Sequence, residues 1–253
     1  MAFRAPQATT ETLALVLGRT QYGDADLIVQ LFTEQQGRLS ALARGARKSQ
    51  KRFGGNLEPM HTMSVEVSET SRGELHTLKG SHIHEPRPLI LSNLKLLTAA
   101  GRTLSWTKRA TSAHLPEPLL WRSLNQTLDQ LAQSDPEDAD DLTAGFGLRL
   151  LELMGWGINF LCCVSCGKSC PEHRPAWLNP ERGGLVCRAC GGGPFQVCGT
   201  DRLALHRVAQ GADAKAPHAT AALTIKIVER ALGAHMGWQD GGGIQDLGKR
   251  KKT

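Results

Sequence analysis

Four of the seven cysteines stand in two C-x-x-C-G repeats, Cys163-Val164-Ser165-Cys166-Gly167 and Cys187-Arg188-Ala189-Cys190-Gly191, with 20 residues between them. Two thiolates at this spacing reach one small cation, and the glycine after each pair permits the tight turn. Two such knuckles complete a sulfur tetrahedron with no open position for water or substrate, so the site reads as structural, with one zinc ion on Cys163, Cys166, Cys187 and Cys190. Structural zinc is worth about 10–16 kcal/mol in isolated fingers, ample to order a Gly/Pro-rich segment with little core of its own. Cys162, Cys170 and Cys198 are spare, with Cys170 and His173 as substitute ligands.

The second chemical feature is charge. Between Arg38 and Arg52 stand Arg38, Arg44, Arg47, Lys48, Lys51 and Arg52 with no acidic residue, and the chain's whole formal net charge is +6. A Gly-bounded loop of this kind suits a polyanion backbone, nucleic acid first among them. Tyr22 and Phe53 are the nearby aromatics, and aromatic residues make up only 5% of the chain. An extensive base-stacking platform is therefore not expected; affinity should come from phosphate contacts and fall steeply with salt. A weaker basic surface is expected from the cysteine segment and the helix after it, where Arg188 and Arg202 are the candidate contacts.

Other motifs fail on spacing. Gly167-Lys168-Ser169 ends like a phosphate-binding loop, but Cys162 stands where that motif requires glycine. A zinc deaminase needs H-x-E and an open metal position, and neither His82-Ile83-His84 nor His84-Glu85 supplies the pattern. His82, His84, His206 and His235 read as ordinary helix or loop residues. No nucleophile elbow or carboxylate pair stands out, and no enzyme is expected.

These residues need a scaffold of at least two parts. Apolar runs at 12–17, 27–32, 38–43, 60–67 and 74–79, punctuated by Gly37 and Ser71-Arg72-Gly73, predict five short strands and a small closed barrel of the OB type over 1–82. After a hinge at Glu85-Pro86-Arg87-Pro88 the period becomes helical. Ile90, Leu94, Leu97, Gly101 and Leu104 form one stripe, and others follow at Leu120–Leu131 and Leu142–Met154. The expected organisation is a helical part over 83–159, a zinc-ribbon-like insert over 160–198, more helix over 199–238 and a disordered basic tail over 239–253. The fold class is α+β. No apolar run approaches the ~20 residues needed to span a bilayer. The clustered cysteines do not resemble a secreted disulfide framework, which points to reducing cytoplasm.

Across residues 12–60 the sequence resembles the RecO family of bacterial recombination mediators. The resemblance rests on Leu31-Phe32-Thr33, on Gly37, and above all on Arg44-Gly45-Ala46-Arg47-Lys48 followed by Arg52-Phe53-Gly54-Gly55. The two late knuckles match as well, and the helical body matches by layout alone. Gly23-Asp24 replaces a usual glutamate, and Met60 stands where an aromatic is common. The resemblance implies a non-enzymatic, ATP-independent protein that binds single- and double-stranded DNA and anneals complementary strands. It also implies pairing with RecR to load RecA onto DNA coated by single-strand-binding protein. Two other classes are kept open: a zinc-containing adaptor for an acidic protein partner, and a metal-dependent nucleic-acid enzyme.

Overall fold

The computed structural model describes residues 9–53, 57–68 and 75–236. The expected tail over 239–253, the turn at Ser71-Arg72-Gly73 and Gly54-Gly55 lie outside the described residues.

Strands β1 (Thr9–Tyr22), β2 (Asp26–Thr33), β3 (Gly37–Ala43), β4 (Thr62–Ser68) and β5 (Leu75–Glu85) close into a barrel of order β1-β2-β3-β5-β4. All neighbours are antiparallel except β3 and β5, the closure pattern of an OB-fold. Alternation decides which face each residue takes. Ala14, Val16, Val29, Leu31, Leu39, Ala41, Met63, Val65 and Val67 point inward and fill the barrel. A four-residue helix, α1 (Gln50–Phe53), spans the gap between β3 and β4, and its Phe53 plugs the same core at 1% exposure.

The opposite faces of β1 and β2 are equally apolar. Leu15, Leu17 and Phe32 belong to the core of the helical part, where Phe32 meets Trp121 at 5.7 Å between ring centroids. The barrel's outer wall is thus part of the helical core, while the barrel's own interior stays a separate cluster. The helices are α2 (Pro88–Ser92), α3 (Leu94–Ala110), α4 (Pro118–Gln133), α5 (Ala139–Leu153), α6 (Gly199–Ala209) and α7 (Ala221–Met236). α5 is central, buried on nearly every side and packed on α3, α4, α6 and α7. No described helix is long and apolar enough to cross a membrane.

Several expectations are corrected. The segment Glu85–Pro88 is no hinge: Arg87 is 2% exposed. It donates to Asp129 Oδ1 (2.7 Å), Thr62 Oγ1 (2.9 Å), Met60 O (3.0 Å) and Asn125 Oδ1 (3.2 Å), tying the barrel to α4. A buried arginine with its donors filled is a rigid joint. β5 continues to Glu85, so His82 and His84 sit on an exposed strand end, not in a helix or loop. The stripe through Leu94 is also displaced. Asn93 breaks the chain between α2 and α3 and accepts the Lys95 and Leu96 N–H groups as an N-cap. Leu94 is left 78% exposed; Ile90 and Leu104 of the expected stripe are buried, and α3 adds Leu96, Ala99 and Ala100.

The Gly/Pro-rich segment forms a second sheet, β6 (Asn159–Cys163), β7 (Ala176–Asn179), β8 (Gly184–Leu185) and β9 (Phe195–Val197), in the order β6-β8-β7-β9. Phe160, Leu178, Leu185 and Val197 join it to the helical core.

Candidate nucleic-acid interface and metal centre

The basic loop leaves β3 through residues that favour turns, and each turn is fixed by the backbone. Gly45 takes φ 68°, a conformation costly for residues with a Cβ. Its N–H donates to Asp26 Oδ1 at 2.7 Å, and its carbonyl accepts the N–H groups of Lys48 and Ser49. The Arg47 N–H reaches Ala25 O (3.0 Å) and its guanidinium reaches Asp24 O (3.2 Å), so the loop lies folded on the β1–β2 turn. Arg52 donates to Arg44 O at 2.9 Å and stands over the Phe53 ring at 5.4 Å.

The geometry separates backbone from charge. Arg44, Arg47, Lys48 and Arg52 are all exposed. Among the described residues none of the four forms an ion pair, whereas Arg19, Arg87, Lys95, Lys215 and Arg230 each hold a carboxylate. The side chain of Lys51 lies outside the described residues. Phe53, sealed in the barrel, cannot stack on a base, while Tyr22 at the adjoining turn is 55% exposed.

Arg38 stands apart from these four. It is half-buried at the seam, its Nε donating to Thr111 O at 3.1 Å. There it meets Lys108 and Arg109 from the end of α3, which sequence reasoning did not single out. Burial first, then Arg38 and Arg109, push the Lys108 ammonium below the usual lysine range. Only tertiary packing joins these three, so no local pattern marks them.

The second expected surface loses one member. Arg202 is the largest fully buried side chain, at 0% exposure. Its guanidinium donates to the carbonyls of Phe160, Pro171 (2.8 Å) and Glu172 (3.1 Å), clasping the cysteine segment to α6. An arginine with both terminal nitrogens on backbone carbonyls and its Nε buried is not free to meet phosphate. Arg188 is exposed, as are Lys168 and Arg174.

The cysteine knuckles come together as their spacing predicts. The sulfurs of Cys163, Cys166, Cys187 and Cys190 all lie within 4.8 Å of one another, with Cys166 Sγ and Cys187 Sγ 3.9 Å apart. Tetrahedral sulfurs at a Zn–S distance of about 2.3 Å would stand about 3.8 Å apart. Gly167 (φ 73°) and Gly191 (φ 105°) close the two turns, their N–H groups returning to Cys163 O and Arg188 O. The N–H groups of Cys187, Ser165 and Cys166 hold the Cys163 thiol down to about 5. The Cys187 and Cys166 side chains push Cys190 up to about 12. Four thiols this close cannot all ionise without a cation, and an all-thiolate donor set suits a soft or borderline metal. Cys162, Cys170, His173 and Cys198 stand outside the cluster; Cys198 Sγ lies 3.0 Å from Asp201 Oδ2.

Comparison with known proteins bears on this arrangement. Residues 8–87 match the family model "Recombination protein O N terminal" and residues 91–239 match "Recombination protein O C terminal". The chain belongs to the RecO family. Among curated relatives, the DNA repair protein RecO of Geobacter metallireducens is 33% identical over 72% of this chain and 73% of its own length. That of Myxococcus xanthus is 35% identical over 70% and 71%. That of Geobacter sulfurreducens is 35% identical over 77% and 78%. The RecO family is one of DNA repair proteins, and those names carry no enzymatic activity. Both RecO models cover the features described: the first the barrel and its basic loop, the second the helices and the four-cysteine cluster.

Proposed function

We propose that the chain is a non-enzymatic mediator of recombinational repair that grips the phosphates of single- and double-stranded DNA with its barrel loop. The observation that carries this reading is the set of four exposed cations, Arg44, Arg47, Lys48 and Arg52, on a loop whose backbone is pinned at Gly45 and Arg47 and without carboxylate partners among the described residues. Side chains held this way exchange counterions for phosphate without first breaking an ion pair.

Annealing requires two like-charged strands to approach. A second basic surface around Lys168, Arg174 and Arg188 would screen one strand while the loop holds the other. Zinc fits the four-thiolate cluster; when bound it supplies cross-linking of two turns, not chemistry on a substrate. The four cysteines would hold the ion, Arg202 fixes the module on α6, and the module presents Arg188 to solvent. Membership of the family supports partnership with RecR, with single-strand-binding protein and, through them, with RecA, in the cytoplasm at the nucleoid.

The test is charge reversal of Arg44, Arg47 and Lys48 to glutamate in one variant. The expected result is at least ~100-fold weaker oligonucleotide binding at low salt, an unchanged melting temperature, and a log–log salt slope shallower by about 2 for single strands. Unchanged affinity at low salt would sink the proposal. Binding that instead tracks an acidic protein, indifferent to nucleic-acid length, would favour the adaptor reading.

A further inference from the structure

The basic loop addresses phosphates and leaves the bases unread. A different place offers a base a seat. On β7, alternation sends Ala176 and Leu178 into the core and Trp177 outward. Facing the indole is bare backbone: Gly191, Gly192 and Gly193 follow the second knuckle, and a Cβ on Gly192 would lie 3.8 Å from Trp177 Cγ. Gly192 packs against the indole at this edge, and the half-buried ring borders a cavity of about 270 Å³ lined by Trp177, Arg188 and the three glycines. Its lining has no carboxylate and no aliphatic side chain. Arg188 at its rim is exposed and forms no ion pair among the described residues.

An aromatic face, an unpaired guanidinium and side-chain-free backbone are the elements of a stacking seat for a planar ring next to an anion. The cavity is smaller than the roughly 300–1,000 Å³ of drug-sized sites, so it suits one ring system. A duplex keeps its bases stacked on each other and cannot offer one to this seat without flipping it.

We propose that Trp177 and Arg188 form a subsite for one unpaired nucleobase and its adjoining phosphate. The inference rests on the DNA-binding reading above and adds a reason for the module to prefer single strands.

The experiment compares full-length wild type, Trp177→Ala and Trp177→Phe for binding to oligothymidylate, to an abasic oligonucleotide of equal length, and to duplex. Intrinsic tryptophan fluorescence is recorded in each titration. Trp177→Ala should weaken oligothymidylate binding roughly 5- to 150-fold, the range for losing one stacked base, and leave abasic and duplex binding unchanged. Trp177→Phe should restore most of the affinity and remove the quenching that oligothymidylate causes in wild type. Equal weakening on all three ligands, or quenching identical in wild type and Trp177→Phe, overturns the subsite. The fluorescence comparison needs only the phenylalanine variant, so it decides the matter even if the alanine variant does not fold. Wild type that binds abasic and ordinary strands equally overturns this inference alone, and wild type that binds no DNA overturns both.

Discussion

The barrel loop and the cysteine module meet the same difficulty, a stretch rich in glycine and poor in core, and resolve it in opposite ways. The loop is held by backbone: Gly45 on Asp26, Arg47 on Ala25, and Phe53 driven into the barrel. Its cationic heads face solvent, those of Arg47 and Arg52 each giving one bond to a nearby backbone carbonyl and the rest of their donors outward. The module is held by side chains: four thiols gathered within 4.8 Å, and Arg202 clasping three carbonyls from inside. There a positive charge is part of the scaffold. Formal charge along a sequence therefore does not measure charge offered to a ligand. Six basic residues in the loop and six across residues 160–207 look alike as a count, yet Arg202 belongs to the interior and Arg44 to the surface.

The sharpest way to break this contrast is to attack the thiols. Cys187→Ser with Cys190→Ser, or a strong chelator on the zinc-loaded protein, should cost the module on the order of 10 kcal/mol of local order. Hydrogen exchange should rise across 160–198 to the level of unprotected amides while the barrel strands stay protected. Exchange unchanged across the module would mean that its small sheet folds without metal. Next in size is the buried arginine. Arg202→Met leaves the Phe160, Pro171 and Glu172 carbonyls unpaired, an expected loss of about 3–5 kcal/mol in urea unfolding. Duplex affinity at a permissive temperature should be unaffected, the reverse of the loop variant. A drop in affinity without a drop in stability would put Arg202 back among the DNA contacts.

The pinned loop and the fixed seam were not equally visible in the sequence. Period-two alternation and Gly37 marked the strands, and the C-x-x-C-G spacing marked the metal site, because both are local relations. Burial of a cation is not local. Nothing around Arg202 or Arg87 distinguishes it from Arg188, since the carbonyls, hydroxyl and carboxylate that receive those guanidiniums arrive from segments 25 to 42 residues away. Phe53 looked like an aromatic beside a binding loop for the same reason. Leu94 alone falls clearly off the buried stripe, because Asn93 restarts the helix and a periodicity read straight through it cannot register the break.

The smallest expected effect concerns the seam and its titration. His61 is buried, and burial first, then Arg87, lower its pKa from the ordinary 6.5. Its Nδ1 accepts the Arg87 N–H at 2.8 Å, which requires the unprotonated nitrogen. On acidification the unfolded chain binds the proton first. Stability should therefore be full above about pH 6.5 and decline as pH falls through that value toward the lower folded pKa. Urea midpoints at pH 7.5 and 5.5 measure the decline, and His61→Gln should flatten it. A midpoint that rises on acidification would reverse the assigned sign.

The two family models meet between residues 87 and 91, where the molecule has no natural cut. Leu15, Leu17 and Phe32 on the barrel's outer wall are interior residues of the helical half, and Arg87 is bonded on both sides of the border. A gene fragment that kept the first half alone would encode a barrel with a bare greasy wall, prone to stick to its neighbours. The halves can be told apart in a sequence comparison, yet each supplies side chains that the other buries.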